Sequence, residues 1–79
     1  MRLDKYLKVS RLIKRRTIAN EACDAGKILV NNKPARASYE VKIDDIIEIG
    51  IGKTPFKVKV LKITETVGKD AASLMYEAV

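Results

Sequence analysis

The chain predicts an α+β fold in which two short helices pack on a small, mostly antiparallel sheet, and three observations carry that prediction. Apolar residues recur at helical spacing through the first 25 positions, the apolar period becomes two from Lys27 onward, and Gly26-Lys27 at the change is a good helix stop. At 79 residues the chain makes one small domain, able to bury roughly 60% of the surface its unfolded form exposes. That leaves room for one thin core and none for a deep cofactor cavity.

Leu3, Tyr6 and Leu7 define a first helix over 3–9, with Asp4 four residues before Lys8 as a small supporting ion pair. Continued in phase, this helix would put Ser10 and Lys14 on the face of Leu3 and Leu7, so the chain is expected to bend between 10 and 15. Ile18, Ala22 and Ala25 restart a stripe, with Cys23 beside it, and give a second helix over 16–25. Ile28-Leu29-Val30 reads as a strand ending at Asn31-Asn32, a pair that tolerates positive φ in a tight turn, with Pro34 fixing the exit. Ala35 to Ser38 is a candidate second strand, and Ile46 to Ile51 a third. After a turn at Gly52-Lys53-Thr54-Pro55, Phe56, Val58 and Val60 alternate with Lys57 and Lys59, a half-buried strand that Leu61 and Ile63 extend. Such alternation implies an antiparallel sheet with one wet face. The tail is expected to form a short C-terminal helix, with Asp70 as N-cap and Ala71, Leu74, Met75 and Ala78 on one side. Residues 1–64 therefore read as the domain with its sheet extension, and 65–79 as a tail.

Charge is segregated along this order. Residues 1–36 hold ten Lys or Arg against three acids, a balance of +7, while residues 37–79 hold six against seven, a balance of −1. A solubilising charge has no reason to segregate in this way, whereas a protein that meets phosphates on one face does. Cys23, the single cysteine, has no disulfide partner and no histidine or second cysteine with which to hold a metal. A reducing, cytoplasmic setting fits, and no stretch approaches the ~20 apolar residues of a membrane span.

The run Arg2-Leu3-Asp4-Lys5-Tyr6-Leu7, the basic Lys14-Arg15-Arg16, the stretch from Asp24 through Gly26 to Asn31-Asn32, and Ser38-x-x-Val41 together resemble the S4 (alpha-L) RNA-binding domain. The resemblance covers about residues 1–50. It departs from the common pattern at Asn32 and at Ile43-Asp44, where many S4 domains carry Gly and Pro-Gly; Asn and Asp are turn-compatible substitutes. More narrowly, the start over 1–17 and the tail Ala71-Ala72-Ser73-Leu74-Met75-Tyr76 resemble the RqcP (YabO) family of stand-alone S4 proteins in bacterial ribosome-associated quality control. That resemblance implies binding to obstructed large ribosomal subunits, contact with large-subunit rRNA and P-site peptidyl-tRNA, and support of an RqcH-type partner that adds C-terminal alanine tails. It implies a monomer without a cofactor. The related small heat-shock S4 protein also attends stalled large subunits and is the alternative within the class.

The candidate RNA-binding residues are Arg2, Lys5, Lys8, Arg11, Lys14, Arg15 and Arg16 on the helices, with Lys27, Asn32, Lys33 and Arg36 as a second strip around the hairpin. Arginine forks bind phosphate bidentately or stack on a base, so Arg2, Arg15 and Arg16 lead, and A-form RNA is recognised through shape and backbone. A structural reading competes at each position. Arg15 or Arg16 can serve to pair with Asp4 or Glu21, the outer lysines can be simply solvated, Tyr6 and Leu7 belong in the core, and Cys23 is a small buried apolar residue. Catalysis has little to rest on: there is no histidine and no phosphate-cradling glycine loop, and the adjacent Asp44 and Asp45 fall in a turn. From another class, a protein adaptor using the apolar tail helix remains open.

Overall fold

The computed structural model describes residues 1–52, 54–64 and 74–79. Two helices, α1 (Leu3–Val9) and α2 (Arg16–Asp24), precede five strands, β1 (Ile28–Val30), β2 (Lys33–Pro34), β3 (Ile46–Ile49), β4 (Phe56–Val60) and β5 (Tyr76–Ala78). The strands form one antiparallel sheet in the order β2-β1-β3-β4-β5. Leu3, Tyr6 and Leu7 of α1 pack with Ile28, Ile47, Val58, Val60 and Met75 in a core where each is fully buried. Among the described residues no helix is long and apolar enough to cross a membrane.

The expected bend follows α1 directly. The amide of Ser10 still donates to Tyr6, but Arg11 turns to φ 63° and the Ile13 amide returns to Leu7, which buries Ile13 instead of Lys14. The first-turn amides of α1, which have no partner within the helix, donate to carbonyls of a later loop, Leu3 to Tyr39 at 2.8 Å and Asp4 to Ala37 at 3.2 Å. α2 ends in a Schellman motif: Lys27 N–H donates to Ala22, Gly26 N–H to Cys23, and Gly26 takes φ 74°. Lys27 then offers its carbonyl to Gly50 N–H at 2.7 Å, and a Cβ at Gly50 would sit only 3.0 Å from that oxygen. Asn31 (φ 53°) and Asn32 (φ 70°) form the two-residue turn between β1 and β2, as both central positions of a type I′ hairpin require. Asp44, at φ 76° in the turn closed by Asp45 N–H and the Lys42 carbonyl, fills the other turn position at which a glycine is common.

Four expectations need correction. The tail is not helical where it is described: Tyr76–Ala78 is a strand paired with β4, and Met75 is buried in the core. Three backbone positions satisfied by a neighbouring strand outweigh the helix preference of Ala, Leu, Met and Glu; the remainder of that predicted helix, 70–73, lies outside the described residues. An adaptor built on an apolar tail helix loses its footing with it. Second, the buried face of α2 is Ala19, Ala22 and Cys23, while Ile18 is 45% exposed; small residues face α1 because the two helices pack closely. Third, the second strand is Lys33–Pro34 and not 35–38, since the two-residue turn returns the chain at once. Fourth, β4 stops at Val60, because Leu61 and Lys62 amides both converge on the Met75 carbonyl and end the ladder. The turn predicted at 52–55 includes residue 53, outside the described set.

Candidate nucleic-acid interface

Two arginines from different helices share one buried carboxylate. Arg2 precedes α1 with an extended backbone (φ −65°, ψ 147°) and forms an isolated bridge with Glu40, while Arg16 is the first residue of α2. Asp4 lies between them in the first turn of α1, where the helix dipole favours an anion. Arg2 Nε and Nη2 reach Oδ1 and Oδ2 at 3.2 and 3.4 Å; Arg16 Nε and Nη2 reach Oδ2 and Oδ1 at 3.3 and 3.5 Å. Asn20, one turn after Arg16, adds Nδ2 to Oδ2 at 3.3 Å, and the Lys5 amide donates to Oδ1 at 2.8 Å. The Asp4 side chain is 3% exposed, while both arginine side chains remain 49% exposed.

Burial alone would raise the Asp4 carboxyl, but hydrogen bonds from Asn20, Arg16 and Arg2, with the charge of Arg16, hold it below the usual carboxylate range. The carboxylate is thus ionised at neutral pH, and the three groups carry one net positive charge. Each guanidinium spends its Nε–Nη2 edge on Asp4. The rest of each side chain is about half exposed, with its orientation set by the fork. The small ion pair expected between Asp4 and Lys8 gives way to this arrangement, because Asp4 turns inward to the helix junction and Lys8 stays exposed in the last turn of α1.

The remaining cations are spread more widely. Arg11, Lys14 and Arg15 are exposed along the connection between the helices, with Arg15 at the N-cap of α2, and Lys5 is partly buried on α1. Lys27 stands just past the far end of α2, beyond the turn at Gly26. Asn32 serves the hairpin turn, while Lys33 and Arg36 line a cleft with Asn31, Pro34, Ser38 and Tyr39. That cleft is braced by Asp45, which accepts from Tyr39 Oη at 2.9 Å, Asn31 Nδ2 at 3.1 Å and the Lys42 amide at 2.9 Å. On the opposite half, Lys57 and Lys59 face acids, Glu48 and Asp44, each at 3.7 Å. Sequence reasoning missed Asn20; its signal is the four-residue spacing from Arg16, which places both on one face of α2. Among the described residues no group of three or more His, Cys, Asp or Glu side chains gathers as a metal site.

The fold and this arginine pair define a small cationic S4 module, and residues 1–47 match the S4 domain. The RQC P-site tRNA stabilizing factor of Streptococcus pneumoniae is 49% identical over 79 residues, spanning 100% of this chain and 90% of that protein. Its namesake in Halalkalibacterium halodurans is 51% identical over 77 residues, spanning 98% and 88%. The chain belongs to the S4-domain family, in the branch that holds these factors. Its fold is also similar to the trimeric heat shock protein 15 of Vibrio cholerae, with a TM-score of 0.93 and 29% identity over 100% of this chain and 81% of that one.

Proposed function

We propose that this chain is an RNA-binding factor that seats on obstructed large ribosomal subunits. There it contacts large-subunit rRNA and P-site peptidyl-tRNA and supports C-terminal alanine tailing by an RqcH-type protein. It works in the cytoplasm as a monomer, by binding and not by catalysis. The single observation that carries this reading is the Asp4 hub, which presents two half-exposed guanidiniums side by side at the junction of the helices. Phosphates of structured RNA are the acceptors that match paired forks at this spacing. Lys8, Arg11, Lys14 and Arg15 extend the same basic segment, and the +7 balance of residues 1–36 draws RNA to it. The names of its relatives give the site an RNA partner of the right chemistry, a P-site tRNA.

A second reading, rescue of large subunits after heat shock, is favoured by the likeness to heat shock protein 15. Sedimentation of the tagged protein from lysate, with Arg16→Ala in parallel, tests the first. The expected result is comigration with free large subunits that carry peptidyl-tRNA, lost in a folded Arg16→Ala protein, and alanine tails that disappear when the protein is deleted. Large-subunit binding with tailing unchanged supports the rescue reading. Equal retention of Arg16→Ala removes the arginine pair from the interface. If several phosphates are neutralised, affinity falls by roughly 10³ or more between about 50 and 200 mM salt.

A further inference from the structure

The Asp4 hub does not use the cleft between the β1–β2 hairpin and residues 35–39. We propose that this cleft seats a single unpaired nucleotide projecting from the RNA held by Arg2 and Arg16, an inference that rests on the RNA-binding reading above. The cleft measures about 620 Å3, within the ~300–1,000 Å3 typical of small-ligand sites. Its lining includes Lys33 and Arg36 and no acid, and the Asp45 carboxylate behind the wall is already engaged by Tyr39, Asn31 and the Lys42 amide, so a phosphate in the cleft meets two cations. Pro34 and Tyr39 supply apolar wall for a base, and Ser38 supplies an exposed hydroxyl for a base edge or a 2′-OH. A second, smaller cleft beside Asp4, Arg16 and Asn20 has Glu21 in its wall and is the poorer phosphate site.

The walls are fixed in advance. Tyr39 Oη and Asn31 Nδ2 are both held by Asp45, Asn31 Oδ1 accepts from the Ile46 amide at 3.0 Å, and the Ala35 amide donates to Ile28 at 3.1 Å. Pre-set walls reduce the ordering cost of binding. The segment that forms its wall also caps α1, Leu3 and Asp4 amides donating to the Tyr39 and Ala37 carbonyls, so that wall lies against the start of the helix that Arg2 precedes. RNA anchored at Arg2 is then near the cleft, and a nucleotide free of base pairing is the unit able to turn into it.

Two RNA hairpins, one fully paired and one identical but for a single bulged uridine, separate this proposal from general RNA binding. Affinities are measured at equal salt for the wild type, for Lys33→Ala/Arg36→Ala and for Arg16→Ala, each checked for folding by circular dichroism. The wild type is expected to prefer the bulged RNA about tenfold, the scale of one stacked and contacted base. Lys33→Ala/Arg36→Ala loses that preference, and Arg16→Ala weakens both RNAs while keeping it. Equal affinity of the wild type for the two RNAs, with Arg16→Ala weakening both, overturns the nucleotide seat and leaves the arginine pair standing. A preference that survives Lys33→Ala/Arg36→Ala also overturns it. Binding of neither RNA removes the RNA-binding reading and the seat together.

Discussion

The helical half and the sheet half of this molecule handle charge in opposite ways. In the sheet, solvent-facing Lys57 and Lys59 each meet an acid across a strand or turn, so the wet face is close to neutral. At the helix junction two arginines converge on one carboxylate, and charge is left over by construction. The sheet supplies the apolar platform, with Val58, Val60, Ile47 and Ile28 at its centre, and the helix junction carries the surplus charge. The surplus charge of the helix junction thus stands apart from the apolar platform in this 79-residue chain, which lets the cationic face keep its surplus without loosening the core.

The strongest way to test this division is to break the platform. Val58 is fully buried in β4 between β3 and β5, so Val58→Asp places an unpaired carboxylate in the core and is expected to cost more than about 4 kcal/mol, enough to unfold the domain by circular dichroism. Tyr6→Phe probes the seam between the halves. The Tyr6 hydroxyl donates to the Met75 carbonyl at 2.8 Å, and that carbonyl keeps the Leu61 and Lys62 amides as donors. The loss is therefore about 1 kcal/mol in urea unfolding, without the penalty of an orphaned acceptor.

Asp4→Asn addresses the hub, with a smaller effect because its partners stand half in water. The folded Asp4 carboxyl titrates below its ordinary value of 3.8. Its contribution to stability is thus full above that value and is lost as pH falls through the lower folded one. The urea midpoint of Asp4→Asn should lie below wild type at neutral pH and converge toward it in acid; parallel curves would show that the hub lends no ionic stability. Last, Lys57→Ala removes an exposed pair at 3.7 Å, and thermal unfolding should register less than about 0.5 kcal/mol.

Both helices, the bend between them and the hairpin turn were legible because each is written in local chemistry: apolar spacing, a wrong-phase Lys14, Gly26 after the last helical turn, two asparagines at positive φ. Ser10, read as equally out of place, is buried with its hydroxyl donating to the Leu7 carbonyl. The tail was not, because Leu74-Met75-Tyr76-Glu77-Ala78 has helix-forming composition and takes its strand form from β4, a partner remote in sequence. In α2, Ala22 and Cys23 are buried as expected, but Ile18 and Ala25 drew the predicted stripe away from Ala19, since hydrophobicity alone does not reveal that a close helix contact favours the smaller residue. Of the candidate site, a tie between Asp4 and an arginine at the entry to α2 was open to sequence reading as one of several pairings, but the sequence pairs Asp4 with Lys8 and gives no sign of the Arg2–Asp4 contact. The shared fork, and the part of the neutral Asn20, depend on how two helices dock, which spacing within either helix does not specify.

The hydrogen bond from Tyr6 to Met75 joins residues 69 positions apart, and it bears on the order of events during folding. The Asn31-Asn32 turn closes locally, whereas the contact of Tyr6 with Met75 joins the two ends of the described chain. Its closing is therefore a search over a long loop, whose entropy must be spent before the buried contacts return it. Seven residues are too few for α1 to persist alone, so Arg2 and Asp4 gain a firm foundation only once the Ala37 and Tyr39 carbonyls cap the helix and Met75 closes beneath Tyr6.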